Sequence, residues 1–415
     1  MTTLRDKARE LFAVACLAAD PAQALQAALA KAPLPRPGPG GVLHVIALGK
    51  AAIPMATLLK EHLEGVPYHM IVVTNYENAR DLPGATVFAA GHPVPDENGI
   101  RAAEAVERML TSATAADRVI ALISGGGSAL LPAPAGTQTL ADKAEVNRLL
   151  LANGFEITEI NLVRQHLSRL KGGGFLRRAA PAPVTAYILS DVVGDDLRVV
   201  ASGPTVAPIG TRQEARDLLQ TRGLWPRLPE PAQALLTSDA AEEPLPAAHN
   251  LLIGSNRKSL EAMVAAAGPD AVIVNDHLTG DVSGAATSIV AAATAARKGH
   301  PARLIFGGET TVTLKGSGLG GRNQELALRV AMTMPDLGRD WVFLSGGTDG
   351  RDGPTDAAGG IVDAGTTERI RAAGGSPEGL LSNNDSHAAL KLAGDLLVTG
   401  ATGTNVADVQ ILLLG

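Results

Sequence analysis

A chain of 415 residues, 46% of them hydrophobic and 19% charged, is long enough for two to three domains and apolar enough to give each its own core. Its formal charge of −6 and its few aromatics (6 Phe, 3 Tyr, 2 Trp) argue against binding to nucleic-acid backbones or stacked bases. The single cysteine, Cys16, excludes an internal disulfide and a cysteine-built metal site, and no stretch approaches the roughly 18 consecutive apolar residues of a membrane span.

In chain order, residues 4–32 read as two helices, the second opened by Asp20 as N-cap and Pro21 at its first position. The short apolar run 11–19 follows Asp6 and Glu10 rather than the positive charge of a signal peptide, so a cytoplasmic location is expected. Prolines and glycines break the chain at 33–41. Strands are expected at 42–48, 69–74, 118–123, 184–189, 251–253, 271–274, 304–306 and 341–344, each ending in a glycine-rich or polar turn and most followed by an alanine-rich helical pattern. Such continuously apolar strands alternating with helices predict an α/β protein. It has a mainly parallel, Rossmann-like sheet with helices on both faces, plus a second α/β domain. The proline-rich, acidic stretch 224–246 loses periodicity and is expected to be the surface connection between domains 1–240 and 245–415.

Ligands of open α/β sheets gather at the carboxyl ends of strands, so the turns there are the candidates for chemistry. Lys50 ends the first strand at the start of a helix, where a cation opposes the helix dipole. Either an anion sits beside it or it is a solvated surface lysine. The spacing around it is not that of a P-loop. Ser124-Gly125-Gly126-Gly127-Ser128 follows the strand 118–123 and reads as an anion nest or as a tight helix-to-sheet turn. Arg164, Arg169 and Lys171 crowd the end of a helical pattern over 157–174, either as C-terminal capping charges or as binders of carboxylate or phosphate oxygens. Asp191, Asp195 and Asp196 close the strand 184–189 and suggest Mg2+ held together with substrate phosphates.

In the second half, Asn256 and Glu309 follow strands. Residues 316–321 fit G-x-G-x-x-G ahead of a helix opened by Arg322 and Asn323, which alone is a weak dinucleotide signal, while Arg322 reads as a phosphate clamp. Asp349, Asp352 and Asp356 do not follow an EF-hand register; a Mg2+ or substrate-hydroxyl role for them stands beside a turn role. The histidines form no zinc motif, and there is no G-x-S-x-G nucleophile elbow.

Taken in order, the segments around Lys50 (Ala-Leu-Gly-Lys-Ala-Ala), 91–96 (Gly-His-Pro-Val-Pro-Asp), 123–130, 171–174, 190–195, 202–205, 307–311, 320–327 (Gly-Gly-Arg-Asn-Gln-Glu-Leu-Ala), 345–350 and 403–408 resemble the class II glycerate kinases, the MOFRL family, over nearly the whole chain. The resemblance implies ATP-dependent phosphorylation of D-glycerate to 2-phosphoglycerate by a two-domain α/β protein, its site in the interdomain cleft. The family's proposed catalytic lysine and arginine fall on Lys50 and Arg322. Phosphoryl transfer needs positioning and charge neutralisation. Accordingly Lys50 and Arg322 are expected to stabilise the transferring phosphoryl group from opposite domains, and Asp191 or Asp195 to hold Mg2+. One of these, or Asp349, would accept the substrate hydroxyl proton. Ser124–Ser128, Arg169, Lys171, Asn256, Glu309, Asn323 and Asp349 are the expected substrate and nucleotide contacts, with the division between ATP and glycerate open, as is a homodimer. Rival readings are an NAD(P)H-dependent hydroxypyruvate reductase, from the G-x-G-x-x-G stretch, and a non-catalytic sugar-acid binder.

Overall fold

Strand β1 (Leu43–Leu48) is buried at every position, as a central strand covered on both faces must be. Around it, β2 (Tyr68–Asn75), β3 (Thr86–Ala90), β4 (Arg118–Ile123), β5 (Val184–Leu189) and β6 (Ala248–Gly254) complete a sheet of order β3-β2-β1-β4-β5-β6. The pairs β1–β2, β2–β3, β1–β4 and β4–β5 are all parallel. The chain steps outward from β1 to β3 and returns to β4 on the other side, so the carboxyl ends of β1 and β4 lie together where the order reverses, the position at which open α/β sheets bind ligands. This computed structural model describes residues 3–238, 244–296, 300 and 302–415.

Contacts divide the chain into two units: an N-terminal one of Ala24–Ser190 with Asp195–Ile253, and a C-terminal one of Met1–Gln23, Asp191–Gly194 and Gly254–Gly415. In the first, Val45, Ala47, Val72, Ile120 and Leu122 pack beneath the helix Ala52–Glu61 and Leu25 and Leu29. A separate helical layer is built on Val146, Leu150, Val163 and Leu219. Leu224, Leu228, Ala232 and Leu236, four residues apart, are buried in that same layer, the last two on the helix Glu230–Thr237. The stretch expected to be a surface connection is therefore part of a core up to that helix. Its prolines concealed an i, i+4 apolar stripe. Within the rest of the expected connection, residues 239–243 lie outside the described residues.

In the C-terminal unit β7 (Ala271–Asn275), β9 (Ala302–Gly308), β11 (Trp341–Gly347), β12 (Gly359–Asp363), β13 (Leu396–Leu397) and β14 (Asp408–Leu414) form a second six-stranded sheet, and β8 (Gly280–Asp281) pairs with β10 (Thr310–Thr311) alone. Its order is β13-β12-β11-β14-β9-β7, with only β7–β9 parallel. Apolar strands buried on both faces look alike in sequence whether their neighbours run parallel or antiparallel, so the pattern did not distinguish the two sheets. The helix Leu4–Ala18, opened by a Thr3–Asp6 capping box, buries Ala8, Leu11, Phe12 and Ala15 against Leu260, Met263 and one face of this second sheet. The first 23 residues therefore lie on the other side of the division from the one the sequence suggested, as does most of β6.

Candidate active site

In the N-terminal unit the turns after β1 and β4 are tied together. Lys50 N–H donates to Gly125 O (2.9 Å), Ala51 N–H donates to Ser124 Oγ (3.1 Å), and Ser124 is almost fully buried. Gly49 is at φ 119°, and a Cβ there would collide with Ser124; one at Gly127 would press on Ala201 and Leu48. These two glycines are thus required by close backbone approach, and Ser124 is a clamp between turns. Gly126, at φ 85°, lies beside His92 and the Lys50 side chain. Burial, and next the Lys50 charge, lower the His92 pKa.

The same turn reaches a second group of polar residues. Ser128 Oγ is 2.7 Å from Ser202 Oγ, and Ser202 donates to Asn161 Oδ1 at 2.7 Å. Lys171 Nζ donates to Ser128 O at 2.7 Å. Ala201 and Ser202 hold φ of 50° and 61°, a left-handed conformation that non-glycine residues adopt at a cost of about 1–3 kcal/mol each. Lys171 is buried, and desolvation, reinforced by Lys143 and Arg164, pushes its pKa well down.

In the C-terminal unit Arg322 opens the helix Arg322–Thr333, and Asp408, the first residue of β14, is completely buried beneath it. Nε and Nη2 of Arg322 donate to the two carboxylate oxygens of Asp408 (2.6 and 2.9 Å), and Nη1 lies 3.1 Å from Glu309 Oε1. Burial opposes the arginine's charge, but Asp408 and then Glu309 outweigh it and raise its pKa. Glu309 is shifted upward by desolvation; Arg322 opposes this, and Asp408, Asp191 and Asp349 add to it. One arginine thus sits among more carboxylates than it can neutralise. The helix N-terminus beside it is already capped, since Asp352 accepts from Asn323 N–H (3.0 Å) and Gln324 N–H (2.8 Å).

A family model described as a domain of unknown function, DUF4147, matches residues 7–237, and the MOFRL family model matches residues 302–408. A glycerate 2-kinase of Pyrococcus horikoshii is 40% identical over 390 residues, covering 90% of this chain and 88% of that protein. The crystal structure of a glycerate kinase from Thermotoga maritima aligns with a TM-score of 0.91 at 38% identity, covering 99% of each chain. The chain belongs to the class II glycerate kinases, the MOFRL family. A relative from Agrobacterium vitis, 40% identical over 99% of this chain and 94% of its own, carries the provisional name hydroxypyruvate reductase. The glycines behind that alternative have another use. A Cβ at Gly316 would collide with Asn383, at Gly318 with Asp385, at Gly320 with Ser386 and at Gly321 with Asp352. They let one loop lie flat on two others, and the helix N-terminus that a pyrophosphate would need is occupied by a carboxylate.

Several expected contacts of this glycerate kinase chain have structural duties. The helical pattern over 157–174 stops at His166, so Arg169 and Lys171 lie in the turn beyond it. Arg169 donates to both oxygens of Glu107 (Nε 2.8 and 3.1 Å, Nη2 2.7 Å) and is committed to that pair. Asn256 donates to the carbonyls of Val406 and Asp408 (both 2.8 Å), and Asn323 accepts from Ser345 Oγ at 2.6 Å; both are buried. Asp349 accepts from Arg351 N–H at 2.9 Å. Asp195 stands at φ 55° with a buried Oδ1 that has no partner among the described residues. Asp191 falls in the C-terminal unit and Asp195 in the N-terminal one. Two residues were missed. Lys143 sits in an unremarkable helix; Asp408 closes the matched segment 403–408, but its partner is remote in sequence.

Proposed function

We propose that the chain is a kinase that transfers the terminal phosphoryl group of ATP to the 2-hydroxyl of D-glycerate. The Arg322–Asp408 pair carries this reading: a guanidinium oriented by a fully buried carboxylate, in a chain whose likeness to the Thermotoga maritima glycerate kinase runs over its whole length. Arg322 and Lys50 are assigned to stabilise charge on the transferring group, the role in which preorganised cations contribute most to phosphoryl transfer. Release of Nη1 from the half-exposed Glu309 would free Arg322 for a phosphate oxygen without loss of its bond to Asp408. The Ser124–Ser128 turn presents Gly126 and Ser128 to an anion.

Among the described residues no group of three or more His, Cys, Asp or Glu side chains could hold a metal ion, so Mg2+ is proposed to arrive as MgATP. Asp191 and Asp195 are assigned to that ion, and Asp191 also to the proton of the acceptor hydroxyl. No single described helix is long and apolar enough to cross a membrane, and a cytoplasmic location is part of the same proposal. ADP release across small hydroxy acids, with and without Mg2+, tests the reading, and 31P NMR of the product assigns the hydroxyl. Tight NADH binding without ADP release would overturn it in favour of a reductase.

A further inference from the structure

Three cations crowd one region of the N-terminal unit with no carboxylate paired to them among the described residues. Lys143 lies on the helix Leu140–Ala152, Arg164 on the helix Ile157–His166, and Lys171 in the turn beyond. They feel one another's charge: burial and then Arg164 lower the Lys143 pKa, and desolvation and then both of these cations lower that of Lys171. Among the described ion pairs none includes any of the three, whereas Arg169, two residues from Lys171, has Glu107. Their hydrogen bonds go to neutral acceptors, Lys171 to Ser128 O (2.7 Å) and Arg164 Nε to Asn147 Oδ1 (2.9 Å). Lys171 is only 4% exposed, and a buried, unbalanced charge is unfavourable unless something anionic completes it. The strained Ala201–Ser202 segment and the Ser128–Ser202–Asn161 hydrogen-bond chain adjoin the same carbonyl that holds Lys171.

We propose that Lys143, Arg164 and Lys171 form an oxyanion-binding site, with Ser128 at its edge, that takes either the carboxylate of the acceptor acid or a phosphate of the nucleotide. The proposal rests on the kinase reading for the identity of the anion, but the site itself does not require turnover.

Lys143→Met is the variant of choice, because Lys143 is only half-buried and its ammonium makes no hydrogen bond among the described residues. Relief of like-charge repulsion leaves the free variant melting at or above the temperature of the full-length wild type. Thermal stabilisation by inorganic phosphate and by D-glycerate falls. Loss of one charge-assisted contact raises a KM about 10- to 100-fold. A rise confined to D-glycerate assigns the site to the carboxylate, and one confined to ATP assigns it to a phosphate. Lys143→Arg restores most of the affinity.

Two results would overturn the site: wild-type protein that neither anion stabilises, or Lys143→Met with both KM values unchanged and full anion protection. If the wild type releases no ADP with D-glycerate, the kinase reading fails while the phosphate and glycerate melts still decide the site.

Discussion

Replacing Asp408 by Asn keeps the side chain's size and removes its charge. The carboxylate is wholly buried and accepts two bonds from Arg322, one on each oxygen, so in the same geometry the amide keeps one of them and turns N–H donors toward the other guanidinium nitrogen. Breaking a buried pair by deleting one partner costs about 3–5 kcal/mol. Arg322 is one-third exposed and retains Glu309, so solvent reduces the expected loss of stability to about 1–3 kcal/mol. The effect on turnover is larger in proportion. A guanidinium displaced by about 1 Å from its place on a transferring group loses about 100-fold in rate, and deleting it by Arg322→Ala loses about 100- to 1,000-fold. Steady-state ADP release with D-glycerate and MgATP, alongside urea melts, measures both. Because Asp408 acts through Arg322, the double variant should be no slower than Arg322→Ala alone. Additive losses, or wild-type turnover in Asp408→Asn, would refute the argument.

Lys50→Met should lower kcat by at least about 100-fold while the far-UV circular dichroism is unchanged, and near-normal turnover would remove Lys50 from the chemistry. Asp117 accepts from Val42 N–H, Thr114 N–H and Thr114 Oγ (2.7, 2.7 and 2.8 Å); burial alone would raise its pKa, but these donors hold it at about 2. A depressed carboxylate stabilises the fold above about pH 4 and loses that contribution as the pH falls through about 2. Asp117→Ala should therefore cost about 2–4 kcal/mol at pH 7 and much less near pH 2; an equal difference at both would contradict this. Gly321→Ala places a methyl against the Asp352 carboxylate that caps the helix carrying Arg322, so turnover and melting temperature should fall together. Retention of both would show that the loop yields easily.

The elements and their ends were legible wherever the signal is local. β4 and β5 run over the very residues expected, 118–123 and 184–189, because six successive apolar residues between turn formers leave little choice. Pro21 opens its helix with Gln23 N–H on Asp20, as a capping residue followed by proline requires. β3, β12 and β14 were not expected, nor were the two-residue strands β8, β10 and β13. β3 is a short, partly exposed edge strand, and the apolar run of β14 comes without the helix that would mark an α/β unit.

Lys50, Arg322 and the Ser124–Ser128 turn stand out as candidates in the sequence because glycine turns after strands mark where a sheet opens to ligands. The duty of each side chain could not. Arg169 and Lys171 look equivalent in sequence, yet one is neutralised by Glu107, 62 positions away, and the other is buried with no acid paired to it among the described residues. Arg322 owes its orientation to Asp408, 86 positions on. Capping, periodicity and turn chemistry act over a few residues and are written into neighbouring letters. Charge pairing, burial and the close approach that forbids a Cβ depend on which distant segments the fold brings together, and the tertiary structure alone decides them.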